Sequence, residues 1–150
     1  MNEDAKDEEF KEFLLQKAIA DAIRNSPRWP VGAEVIVQKV GDVLSQIETA
    51  LGMLDLCALV CEPDDMQGVY GASSFIESSK WRISVFSAPS MNATGISNLA
   101  AALLIRKILG ETNPGNLFAE PISRGHIRLV GKSSDQEVAR DITFTAAYQA

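Results

Sequence analysis

Residues 54–61, LDLCALVC, are apolar at every position except Asp55. A run of this length and character suits a central strand covered on both faces, because a strand with one wet face would alternate apolar and polar residues. Immediately before it, Val43, Leu44, Ile47, Ala50 and Leu51 keep helical period. Asp42 is placed to accept the orphan amides of that helix's first turn, and Gly52 to close it. A short strand, Glu34 to Lys39, ends at Gly41-Asp42, so the middle of the chain reads strand, helix, strand.

Towards the N terminus, Leu14, Leu15, Ala18, Ile19, Ala22 and Ile23 form an apolar stripe over about Asp7 to Asn25, with Gln16, Lys17, Asp21 and Arg24 off it. Pro27 stops this helix, since proline disfavours helical geometry in the residue before it. Pro27-Arg28-Trp29-Pro30 then reads as an extended connector. Towards the C terminus, residues 62–80 turn to Pro, Asp, Gly and Ser without a period, and we expect a long exposed loop. Trp81 to Ala88 is a strand with Trp81, Ile83 and Val85 on one face and Arg82, Ser84 and Phe86 on the other. Asn92 or Thr94 caps the next helix, whose buried side we read as Ile96, Leu99, Ala100, Leu103, Leu104 and Ile108, with Gly110 ending it and Arg106 and Lys107 in its last turn. A second loop, Glu111 to Pro121, leads to the final hairpin.

Charge and apolarity together set the hairpin's register. Pairing Arg128 with Arg140 would oppose like charges, whereas a shift of one residue sets Ile127 against Ile142 and Arg128 against Asp141. The second register leaves a polar face carrying Arg124, His126, Arg128, Asp141, Thr143 and Thr145. The expected fold class is therefore α/β (α+β): a single domain over residues 1–150 with an acidic N-terminal extension, 1–9. Its sheet is mixed or largely antiparallel, of four to five strands packed against helices, with a C-terminal β-hairpin.

The chain has 150 residues, 46% of them apolar, enough for one core built without disulfide or metal. Its formal charge is −6, and residues 2–12 alone carry −4, so the body is nearly neutral. That argues against a broad electrostatic grip on nucleic acid or anionic lipid. The longest unbroken apolar run, Leu99 to Ile105, is far short of a membrane span, and the acidic start is unlike a secretion signal. Cys57 and Cys61 on one strand would stand roughly 13 Å apart, too far to bridge, and unbridged thiols suit a reducing compartment such as the cytosol.

One histidine excludes a multi-histidine zinc site, and no nucleophile elbow, Walker loop or EF-hand is present. His126 could anchor a catalytic triad, but a solvated place on the hairpin's polar face accounts for it more simply. Glu62, Asp64 and Asp65 could hold a divalent cation or form a solvated loop end. Trp29 is either an interface anchor or a cover over the core. Arg124, Arg128, Lys132, Arg140 and Lys107 could touch phosphate, yet Asp141 lies among them and the patch is small. No catalytic residue, cofactor or metal is expected.

Three segments carry a family resemblance. Residues 41–64, GDVLSQIETALGMLDLCALVCEPD, are similar to the capped short helix and apolar strand of small tailed-phage proteins, the tail terminators and minor tail proteins. Residues 81–109, WRISVFSAPSMNATGISNLAAALLIRKIL, resemble their next strand, its proline-containing exit and an Ala/Leu-rich helix, and the hairpin 122–148 completes the likeness. The resemblance implies a virion protein, assembled in the bacterial host cytoplasm as a homo-hexameric ring. Such a ring caps the tail tube, meets the tube protein and the neck or connector protein, and encloses a lumen through which DNA passes. Exposure, and no matched motif, then makes the loops Glu62 to Lys80 and Glu111 to Pro121 and the hairpin's polar face the expected contact surfaces, with Arg124, His126, Arg128, Asp141, Thr143, Thr145, Trp29, Asp64 and Asp65 as the candidate residues. A head-tail connector of the same virion, and a small enzyme using His126, are the alternatives.

Overall fold

Leu56–Val60 (β2) is buried at all five positions, as its composition requires. The computed structural model describes residues 3–38, 42–54, 56–63, 65–70, 75–87, 96–114, 125–133 and 137–149. Around β2 they form α1 (Glu3–Arg24), β1 (Glu34–Val37), α2 (Val43–Met53), β3 (Asp65–Tyr70), β4 (Phe75–Ser87), α3 (Asn98–Glu111), β5 (His126–Ser133) and β6 (Glu137–Gln149). The six strands make one mixed sheet in the order β1-β2-β4-β6-β5, with β3 pairing β4 off that path. Only β1 and β2 are parallel, joined through α2, because a parallel neighbour needs a crossover longer than a turn. The α+β class, mixed sheet and closing hairpin thus stand, with more strands than composition suggests.

Side-chain alternation along β2 builds two cores. Leu56, Ala58 and Val60 join Val35, Val37, Trp81, Ile83, Val85, Ile142 and Phe144 beneath α1 and α3. Cys57 and Leu59 join Ile36, Ile47, Ala50, Leu51 and Cys61 beneath α2. The large first core spans the sheet; the small second one covers only its β1–β2 end and reaches Phe86 on β4. Both cysteines are buried and free, as the strand spacing requires.

Several expectations are corrected. Residues 62–80 are not one long loop, since β3 and the first part of β4 form an antiparallel ladder from Asp65–Lys80 to Tyr70–Phe75. The same part of β4 also pairs with β6, so backbone bonds on both sides sustain a strand that lacks an apolar period. The acidic start is helical from Glu3, as the first part of α1. The buried side of α1 is rotated by about one residue, taking in Gln16 and Ala20 and leaving Leu14 exposed. α3 likewise buries Asn98, Ala101, Ala102, Ile105, Ile108 and Leu109, while Leu99 and Leu103 face outward. An Ala/Leu-rich helix is apolar nearly all round, so its period does not choose a face; the small Ala101 and Ala102 let it lie close on the sheet. Its N-cap is Ser97, whose hydroxyl accepts from the Ala100 amide at 3.1 Å, whereas Asn92 and Thr94 lie outside the described residues. Its C-cap is Thr112, so Gly110 is still helical and Arg106 and Lys107 precede the last turn. Asp42 caps α2 as expected, accepting from the Ser45 amide at 3.3 Å, but that helix runs through Gly52 to a C-cap at Leu54.

Candidate interaction surface

β6 lies between β4 and β5, and its register with both strands lays the polar residues of the α2-side face in rows. The β5–β6 pairing is the one that charge and apolarity require: Ile127 opposes Ile142, Arg128 opposes Asp141 and His126 opposes Thr143. On its other side β6 sets Asp141 against Ser84, Thr143 against Arg82 and Thr145 against Lys80. One row therefore reads Ser84, Asp141, Arg128, the next Arg82, Thr143, His126, and the third Lys80, Thr145. Directly opposed side chains of such pairs stand close enough to interact.

The rows are not equally wet. His126, Arg128, Lys80 and Thr145 are exposed, and Arg82 and Thr143 are half-buried. Asp141 is only 4% exposed and accepts a hydrogen bond from the Ser84 hydroxyl at 2.7 Å. Its carboxylate is closed in against the Ser84 hydroxyl and lies near the buried Cys61 thiol, so the subunit itself leaves it almost no surface to offer a neighbour. Next to Ser84, the Cys61 thiol is pushed above its ordinary value, chiefly by burial and in spite of the nearby Arg82 guanidinium, which favours the thiolate. A thiol held protonated is a poor nucleophile. The open part of this face thus presents Lys80, Arg82 and Arg128 on a chain whose net charge is −6.

Trp29 likewise has almost no surface to offer. It is 4% exposed, belongs to the larger core, and donates its indole N–H to the Ala33 carbonyl at 3.0 Å. Asp65 opens β3 opposite Lys80, while Arg124 and Asp64 lie outside the described residues. Of the second expected contact loop, Glu111 is the last residue of α3 and meets Arg28 at 2.6 Å, and residues 115–121 lie outside the described set. Among the described residues no group of three or more His, Cys, Asp or Glu side chains could hold a metal ion. No helix among them is long and apolar enough to cross a membrane.

The two ends of the sheet are the surfaces that sequence reading missed. Among the described strands β1 and β5 close the two ends of the main strand order, each pairing with one neighbour there, as β3 also does off that path. The Gln38 amide donates to Val60 O at 3.0 Å, which turns residue 38 towards β2. By backbone alternation Val35 and Val37 then aim their peptide groups at the open edge. Arg24 donates to Val35 O there at 2.6 Å while also pairing with Asp21 at 2.7 Å. Two cavities flank this edge: one of about 350 Å³ beside α2, lined by Glu34, Ile36 and Asp42, and one of about 400 Å³ bounded by Phe13, Lys17, Val35 and Val37. At the opposite end, β5 carries Leu129 at 51% exposure. Its regular pairing stops there, with an irregularity between Leu129 and Lys132.

No protein-family model matches this chain, and no curated protein matches it. A chain from the solved virion of a native gene transfer agent (GTA) particle is similar to it in structure, with a TM-score of 0.60 at 17% identity. The match covers 91% of this chain and 95% of that one. At that identity the likeness establishes a shared fold.

Proposed function

We propose that this chain is a structural protein of a phage-like virion, and specifically a tail terminator: a homo-hexameric ring that caps the tail tube and joins it to the neck or connector. The observation that carries the reading is the near end-to-end structural likeness to a chain of a GTA virion, which agrees with the tail-protein resemblance of residues 41–64, 81–109 and 122–148. The surface supports it as well. The residues expected at contacts that remain exposed, His126, Arg128 and Thr145, share one open sheet face and need no chemistry beyond complementary shape and charge. In a ring the contacts are head to tail, so different patches of one subunit must meet.

Electron microscopy of tails assembled with and without this chain tests the role. Loss of the chain should yield overlong or uncapped tubes that fail to join heads. Tails of normal length, capped and joined in its absence, would refute the terminator role. Labelling that places the chain within the head vertex would favour the connector instead.

A further inference from the structure

We propose that copies of this chain join edge to edge, β5 of one pairing antiparallel with β1 of the next, so that one sheet runs on into its neighbour. The contact rests on the ring reading above and names the surfaces that would make it. Four observations carry it.

First, among the described strands each of the two is the last of its end of the sheet, and the stretches that can pair are both short. β1 spans Glu34–Val37, four residues, and β5 keeps regular pairing over His126–Leu129, also four, before its irregularity. Bulged and short edges resist pairing, so a contact confined to these residues is what both edges permit. Second, strand directions agree. β1 is parallel to β2, and β2-β4, β4-β6 and β6-β5 are each antiparallel, so β5 runs opposite to β1. Rotation about an axis along the strands preserves direction and sets β5 antiparallel to the next copy's β1, and repeating one such step is the head-to-tail arrangement that closes a ring.

Third, charges match on the α2-side face. Glu34 is exposed there, with Asp42 lining the same cavity, and β5 presents exposed His126 and Arg128 on that face. Placing Glu34 opposite Arg128 puts Val35 opposite Ile127 and Ile36 opposite His126, so every side chain meets one on its own face. Fourth, shape matches on the other face. In this register half-buried Ile127 of one copy meets Val35 at the roughly 400 Å³ cavity that Phe13, Val35 and Val37 line in the other, and exposed Leu129 lies diagonally across from Val35 beside Ala33. Arg24 stands across this edge, holding Val35 O, so the incoming strand must displace it. A guanidinium placed there slows pairing of free subunits and yields to a contact repeated around a ring.

A cysteine pair tests the contact. Glu34→Cys and Arg128→Cys in the full chain would face each other across the proposed junction at a separation suited to a disulfide. Within one subunit they lie four strand spacings apart, roughly 19 Å, so any bond between them joins two copies. Cys57 and Cys61 are buried. On oxidation of tails carrying the doubly substituted chain, non-reducing gels should show a ladder of linked subunits, absent from either single variant. Adding Arg24→Ala should raise the linked fraction several-fold. A ring visible by microscopy whose subunits stay unlinked would overturn the edge contact and leave the terminator role standing. Tails bearing no ring of this chain would overturn both. A linked fraction lowered by Arg24→Ala would also count against the edge as the junction.

Discussion

Replacing Gln16 should cost far more than its place off the apolar stripe suggests. The side chain is 2% exposed and donates its amide to Val60 O at 2.8 Å and to Gln38 O at 3.1 Å, tying α1 to the ends of β1 and β2. Each such bond is worth about 1 kcal/mol net, and each buried methylene about 0.8 kcal/mol. Val60 O also accepts from the Gln38 amide, which softens the loss on that side. Gln16→Ala should therefore destabilise the protein by about 2 to 3 kcal/mol, a fall in melting temperature of roughly 5 to 10 °C for a chain of this size. Gln16→Leu, which keeps the bulk and loses only the bonds, should cost about 1 to 2 kcal/mol. Gln16→Glu sharpens the test, because a carboxylate has no donor and would face two carbonyl oxygens. Its proton would be held more tightly folded than unfolded, so stability should be highest below about pH 4.3 and fall as pH rises through the higher folded value. Urea unfolding followed by circular dichroism, across pH for the Glu variant, measures all three. Changes within about 0.5 kcal/mol of the parent for both Ala and Leu would show that the tie does not hold α1 in solution.

Other outcomes follow from single features. Gly32 has φ of +88°, and a Cβ there would come within 2.9 Å of the Leu54 side chain, so Gly32→Ala should lower stability by about 1 to 2 kcal/mol in thermal melts. Ser97→Ala removes the cap of α3 and should cost about 1 kcal/mol by the same measurement. Neither cysteine should react with a thiol reagent in the native protein, and both should react once it is unfolded; rapid native labelling of Cys61 would contradict its burial and raised pKa. Arg28 holds the Glu111 carboxyl below its ordinary value. What that pair contributes is present above the unfolded carboxyl's pKa and lost as pH falls through the lower folded one. Because both side chains are well exposed, Glu111→Gln should shift the acid limb of a pH–stability curve slightly, and less at high salt.

Local rules were enough wherever the chain's own pattern had one solution. The all-apolar residues 56–60 could be satisfied only between two layers, Asp42 could cap only the helix that follows it, and the hairpin could avoid opposing arginines only by setting Arg128 against Asp141. Patterns with more than one good solution were settled elsewhere. α3 offers apolar residues on most of its surface, and the face it buries depends on how near the sheet allows it to come. Residues 65–80 have no side-chain period, and their strand exists because β6 and β3 supply hydrogen-bond partners from either side.

For the interaction surface, the alternation of His126, Arg128, Thr143 and Thr145 with apolar residues was enough to put them on one face. It said nothing of which strand would stand on the far side of β6. Placing β4 there closed Asp141 in against Ser84, left β5 at the rim, and left β1 at the other with a cavity on each side. The sequence determined what each strand carries, because side-chain alternation is a property of a single backbone. Which carboxylate is shielded and which edges stand open was decided by strand order, because burial depends on neighbours that hydrogen-bonded pairing brings together from distant parts of the chain.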